Sequence, residues 1–424
     1  MNGTQRLFAQ SLILTALGPL YNDILLFRAG KFAVTGIHLA LVVTVIAALM
    51  SRRRINGILA LTVMAMIFLE ISHALWFGFV TKADWLMSFA QYLVYTTSFV
   101  LIAGVVLDLA DLREIAPWVR KCALVFGGLG LVQFLLYNLG ISAALPVSMR
   151  IRVYDPFTDP RAGGLVPIQG LATEPSYYAI GLVTLLALIL FLDATAGSPV
   201  KGLSRSAVPV LLAAIVVTFS MTGIIAAAAV ICARIAVSSM ADRVRTVILT
   251  CALAALLIAS GMGRPIRERL DKIADGADVS TLVRVELGAK LFLAPARDVE
   301  EFFLGTGLGM EARGADEYFR LYREVSLNPP ETDQVKIHNF PTAIKYFQGW
   351  IGLLLYGVLL GTMLLVLRGS WRPYVVLLCF LIVFHFASGL YLAPGTWAMF
   401  ALWTLLRRSQ LSMIEPLEPC PQSS

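Results

Sequence analysis

Long apolar runs alternate with short polar connections along most of the chain, and one long polar stretch, 264–336, interrupts them late. The runs approach the roughly 20 apolar residues that cross a bilayer core. They fall near 7–26, 32–50, 55–75, 86–108, 118–140 and 175–193, and then near 206–220, 223–238, 246–263, 340–367, 373–391 and 394–406. The pattern predicts an all-α fold, a polytopic transmembrane helical bundle of about twelve spans with one large, partly helical outer loop. A membrane β-barrel would show short alternating segments instead. Four parts follow: N-terminal spans (1–140), central spans with an outer loop at 141–174 (141–263), the large polar loop (264–339), and C-terminal spans with a tail (340–424). No internal repeat is evident, and nothing of the size of the late loop occurs earlier. Both points argue against a transporter built from two similar halves.

Composition agrees. The chain is 58% hydrophobic and only 14% charged, against about 25% charge in soluble domains. Its net charge of +7 reads as a topology signal rather than as an affinity for nucleic acid. Arg52 to Arg54, Arg113, Arg120, Lys121, Lys201, Arg205, Arg243, Arg245, Arg368, Arg372, Arg407 and Arg408 all fall on one face if the N-terminus is cytoplasmic. The positive-inside rule then puts both termini in the cytoplasm and the loops 141–174 and 264–339 outside. No cleavable signal peptide is evident, so the first span is expected to stay as an anchor. The cysteines lie in or beside spans or in the tail, and neither disulfide nor metal spacing is present. No cofactor is expected.

The outer segments carry the candidate chemistry. In the first, Arg161 and the pair Gly163-Gly164 precede Glu174-Pro175-Ser176, where Pro175 suits the first turn of a helix. Glycines beside an arginine allow a ligand close to the backbone. The competing reading is an ordinary loop with a capped helix start. In the second, Thr281 to Leu293 has helical periodicity ended by Pro295, and includes Arg284. The glycines of Phe303-Leu-Gly305-Thr-Gly307-Leu-Gly309 lack the lysine and strand–helix context of a phosphate loop, so a tight turn is expected. Ala312 to Val325 reads as a charged helix outside the bilayer. Of the histidines, His38 and His385 read as buried hydrogen-bonders, and His73 as a span-end residue without polar company. His338 stands apart at a span entrance beside Asn339. Glu70 is the main acidic residue inside a span.

These residues resemble a known family. Arg161-Ala-Gly163-Gly164, thirteen residues before Glu174-Pro175-Ser176, is similar to a signature of bacterial polysaccharide polymerases. Ser280 to Arg284, then Phe303 to Gly309, His338-Asn339 and Gly349-Trp-Ile-Gly352 resemble, in that order, the signature domain of the O-antigen polymerase/ligase superfamily. One departure is plain. The family's hairpin often carries an arginine or lysine after serine, and here the turn reads Thr218-Phe219-Ser220-Met221-Thr222-Gly223.

The resemblance implies a membrane glycosyltransferase of the GT-C type at the bacterial inner membrane, acting on its periplasmic face. The donor and acceptor would be glycans on undecaprenyl diphosphate. Arg161 and Arg284 would grip the diphosphate, since guanidinium groups match phosphate in a bidentate way and stay charged. His338 would be the base that takes the acceptor's proton, with Glu174 as the competing choice. Asn339 and Gly164 would support them. Membrane lipids, a chain-length regulator and a flippase are the expected partners. Polymerisation of repeat units is the leading expectation. Ligation of the finished glycan to lipid A core or protein is the enzymatic alternative, and a lipid-linked oligosaccharide flippase the alternative of another class.

Overall fold

The computed structural model describes residues 2–29, 32–77, 82–107, 109–141, 165–195, 203–237, 263–275, 286–308, 312–325, 337, 339–364 and 393–411, with isolated positions between 240 and 255 and at 375 and 379. These residues are mostly helical. Among them, four helices are long and apolar enough to cross a membrane: Trp85–Ala103, Glu114–Asn138, Pro175–Asp193 and Phe340–Met363. Shorter apolar helices accompany them at Gly36–Leu49, Gly57–His73, Ser206–Val216 and Met221–Val237. The spans expected near 246–263 and 373–391 lie largely outside the described residues.

Helix α1 (Gly3–Ala16) opens with a capping box in which Asn2 and Gln5 bond each other's backbone. It stops well short of the run expected to reach residue 26. Pro19 explains the stop: it has no N–H to continue the ladder and disfavours α geometry at Gly18, and a 3-10 turn forms at Gly18–Leu20. The remaining apolar residues become an antiparallel hairpin, β1 (Leu25–Ala29) with β2 (Phe32–Thr35), in which Arg28 faces Ala33. Helix α2 (Gly36–Leu49) follows directly. His38 Nδ1 accepts from the Thr35 amide at 3.1 Å, so its Nε2 carries the proton that reaches the Tyr95 hydroxyl, also at 3.1 Å. It is the structural hydrogen-bonder that was expected.

Then come α3 (Gly57–Phe77), α4 (Lys82–Ala103), α5 (Leu109–Asn138), α6 (Pro175–Thr195), α7 (Leu203–Val216) and α8 (Met221–Val237). Helix α6 is the centre of the bundle. Its apolar window is 83% buried, against 33–39% for the other three long spans. It is apolar on every side, as an interior helix must be. Small residues let its neighbours approach: a Cβ on Gly223 of α8 would lie 2.4 Å from that of Ala179. By contrast, α3 presents Leu61, Met64, Phe68 and Leu75 outward and buries Met66, Glu70 and His73. An apolar outer face with the ionisable side chains turned inward is the arrangement of a helix beside lipid.

Four contacts tie one end of the bundle together. Arg6 meets Glu114 at 3.2 Å, the Arg54 amide donates to Gly104 at 2.6 Å, Arg120 donates to Ser206 at 2.9 Å, and Arg234 meets Asp193 at 3.3 Å. The starts of α1, α5 and α7 and the ends of α2, α4, α6 and α8 therefore share a side. The arginines at 52–54 and 120 lie together there, as charge alone predicted.

The opposite side receives the polar segment. It contains α9 (Gly263–Ala274), α10 (Gly288–Leu293), α11 (Val299–Leu304) and α12 (Ala312–Val325). The boundaries of α12 are those read from its charge pattern, and α10 ends just before Pro295 as expected. Two further apolar helices are described, α13 (Phe340–Leu364) and α14 (Pro394–Leu411). Phe340 and Trp397 bring their starts together, with ring centroids 6.4 Å apart.

Candidate functional site

Helix α13 is broken. Gly349 has φ 62° and ψ −162°, which no continuous helix contains, and such a φ favours glycine. A break frees carbonyl groups that must find other donors. The loop after α11 supplies them. The Thr306 amide donates to the Tyr346 carbonyl at 2.8 Å, its hydroxyl to the same carbonyl at 3.0 Å, and the Gly307 amide to the Phe347 carbonyl at 2.8 Å. The backbones touch: a Cβ on Gly305 would lie 2.5 Å from the Gly349 nitrogen, and one on Gly349 2.4 Å from the Phe303 carbonyl. The tight turn expected from the glycines is present, and its function is to clamp a helix break.

Beneath the clamp lies a buried polar cluster from α3. Glu70 and His73 are both fully buried. Glu70 Oε2 lies 3.2 Å from His73 Nδ1 and accepts from the Leu308 amide at 3.2 Å. Its Oε1 accepts from Gln348 Nε2 at 2.7 Å, and Gln348 Nε2 also reaches the Tyr92 hydroxyl at 3.2 Å. His73 Nε2 bonds the Leu304 carbonyl. A carbonyl only accepts, so Nε2 must carry a proton. One further proton then lies between Nδ1 and the carboxyl, whether it makes an ion pair or a neutral pair. Either way the net charge is zero, which is what lets two titratable groups be buried in an apolar bundle. The expectation that His73 lacks polar company is therefore corrected. Glu70 is three residues earlier, one helical turn away on the same face, and that spacing was the available signal. The loop and Gln348 come from more than 230 residues further on, and no local pattern announces them.

Of the residues assigned to chemistry from the sequence, Glu174 and Asn339 are described, while Arg161, Gly164, Arg284 and His338 lie outside the described residues, as do Gly163 and His385. Asn339 caps α13: its Oδ1 accepts from the Thr342 amide at 3.1 Å. It also packs on α10, since a Cβ on Gly288 would lie 3.2 Å from that of Asn339, and the Thr342 hydroxyl lies 3.1 Å from the Gly288 carbonyl. Gly288 is four residues past Arg284 and Asn339 directly follows His338. Glu174 is half-buried at the start of α6, where its Oε2 accepts from Ser176 at 3.3 Å.

The approach to Glu174 is held by Gln133 of α5. Its buried Oε1 accepts the amides of Gln169 and Gly170, at 3.2 and 2.7 Å. Gln133→Leu should leave both amides unpaired at about 1–3 kcal/mol each. Thermal unfolding of the purified protein is expected to fall by several degrees. Hydrogen exchange at 165–173 should accelerate, and unchanged exchange there would contradict this account.

The hairpin turn between α7 and α8 contains Phe219 at φ 50°, unusual for a residue with a side chain. Ser220 caps α8 by accepting the Gly223 amide at 3.3 Å. The turn has no cation of its own, but Arg269 of α9 reaches it and donates to the Phe219 carbonyl at 3.1 Å. Sequence reading missed Arg269, whose partner is 50 residues away. On α12, the hydrogen bond from Arg320 at 2.7 Å holds the Glu317 carboxyl below the usual carboxylate range. What this pair adds is complete at neutral pH and is lost as pH falls through that lowered value.

Comparison of the chain with protein-family models and with curated proteins gives no match.

Proposed function

We propose that the chain is a membrane glycosyltransferase that polymerises undecaprenyl-diphosphate-linked repeat units into a surface or secreted polysaccharide. It would work at the outer face of the bacterial inner membrane, with both termini cytoplasmic. One observation carries the reading. Two of the separate motifs behind the resemblance to the O-antigen polymerase/ligase superfamily touch each other, and the flanks of two more pack together. Phe303 to Gly307 clamps Gly349, and the helix that follows Arg284 packs on the residue that follows His338. Arg269 adds a cation at the hairpin turn, where the family carries one in the turn itself.

In this reading Arg161 and Arg284 stabilise charge on the departing diphosphate. His338 takes the proton of the acceptor hydroxyl, with Glu174 as the alternative base. Asn339 fixes the helix start behind His338.

The test is chain growth by the purified protein mixed with defined lipid-linked repeat units. A polymerase lengthens them, and a flippase does not. His338→Ala, Arg161→Ala and Arg284→Ala are each expected to slow growth by a factor of about 100 or more. Growth at the wild-type rate in all of them defeats the site assignment. A deletion strain separates polymerase from ligase. Single repeat units capping the surface glycolipid support polymerisation, whereas loss of all capping supports ligation.

A further inference from the structure

A cavity of about 300 Å³ opens between the α10–α11 connection, α12 and α13. It is separate from the buried Glu70 cluster. One wall is aromatic. Trp350 meets Phe302 with centroids 5.8 Å apart and Phe292 edge-on at 6.1 Å. Trp350 is 39% exposed and Phe302 43%. Lys345 stiffens this wall: its ammonium bonds the carbonyls of Phe292 and Ala294 and lies 5.4 Å from the centre of the Phe292 ring. An ammonium has three N–H donors, so one remains beyond the two given to carbonyls. The lining also includes Glu301 and Glu317, together with Arg297. Arg297 anchors the first, its amide donating to Glu301 at 3.1 Å, and Arg320 anchors the second.

Exposed ring surface, anchored carboxylates and one spare N–H in the same lining are a particular combination. Arg297 and Lys345 balance the two carboxylates in the lining, so it offers no net positive charge to a phosphate, and charged groups are poor company for an acyl chain. A sugar ring suits this lining. Its C–H face covers aromatic surface, and its hydroxyls donate to carboxylates and accept from nitrogen. The volume lies at the small end of ligand pockets, the size for one or two rings. Lys345 is six residues past Asn339, about 9 Å along the helix axis, so the cavity lies within a short oligosaccharide of that helix start.

We propose that this cavity is a saccharide subsite, in which Trp350 and Phe302 stack on a sugar ring of the glycan and Glu301 and Glu317 accept its hydroxyls. The proposal rests on the glycosyltransferase reading and specifies where that enzyme holds its sugar.

The probe is the free repeat-unit oligosaccharide, released by mild acid from the lipid-linked pool of the source cells and therefore without diphosphate or lipid. Binding to the full-length protein in nanodiscs is followed by saturation-transfer NMR, and chain growth is measured separately. The oligosaccharide should bind the wild type, and inorganic pyrophosphate should not displace it. Trp350→Ala and Glu317→Gln should each weaken binding at least tenfold. Glu317 lies on a peripheral helix, so its variant guards against a folding artefact at Trp350. Unchanged binding in both variants, or none to the wild type, overturns the subsite. So does shielding of Trp350 from acrylamide by lipid but not by the oligosaccharide, which would make the rings a lipid contact. The two readings fail in different ways. Chain growth without variant-sensitive sugar binding leaves the enzyme and removes the subsite. Variant-sensitive binding without chain growth leaves the subsite and removes the polymerase.

Discussion

Glu70→Leu is expected to destabilise the protein by about 3–5 kcal/mol, the cost of removing one partner from a buried, hydrogen-bonded pair. The carboxyl accepts from the Leu308 amide and from Gln348, and it shares a proton with His73. Leucine fills similar space but accepts nothing, so these donors are left in an apolar interior. Thermal unfolding in detergent, followed by tryptophan fluorescence, should show a fall far larger than for Leu75→Ala on the exposed face of the same helix. A cycle sharpens the test. The double variant Glu70→Leu, His73→Leu should be less damaged than the sum of its parts, because it removes both members of the pair. Strict additivity, or a Glu70→Leu variant as stable as Leu75→Ala, would show that the pair is not coupled as described.

Gly349→Val should be as damaging for a backbone reason. With φ 62° and ψ −162°, Gly349 occupies a region that essentially only glycine adopts, at a cost of about 1–3 kcal/mol for a residue with a side chain, and more for a β-branched one. The added Cβ would also lie 2.4 Å from the Phe303 carbonyl, and neither backbone has room to yield. A total above about 3 kcal/mol is expected, with the clamp expelled from the helix. Hydrogen exchange reads this directly: the amides of Thr306 and Gly307, which donate across the break, should lose their protection. Gly357→Ala in the same helix is the control. Its Cβ meets nothing within 4 Å, and alanine there should be neutral or stabilise by up to about 1 kcal/mol. Retained protection in Gly349→Val would refute the clamp.

The sequence made some of this visible and hid the rest for identifiable reasons. Helix α12 was legible to the residue because its charged and apolar positions alternate at helical spacing without a tertiary partner having to be known. The glycine turn was legible as a turn, but its purpose was not, since that depends on a break in α13 some 40 residues later. The hairpin at 25–35 was divided between the end of one span, a connection and the start of the next, because apolar β-branched and aromatic residues satisfy both readings and Pro19 was given too little weight. His73 was misjudged because it was considered alone. Setting it beside Glu70 one turn earlier would have exposed the pair. Of the four arginine contacts at one end of the bundle, those of Arg54 and Arg120 belong to the basic clusters read from the sequence, whereas Arg6 and Arg234 were not among them.

The clamp also bears on how the polar segment can be handled. Its glycine turn takes its shape from carbonyls on α13 and from a carboxyl on α3, neither of which belongs to the segment. Excised as a soluble fragment, residues 286–308 would lose the surface against which they fold. Antibodies raised against such a peptide should therefore favour the unfolded chain over the intact protein in its membrane.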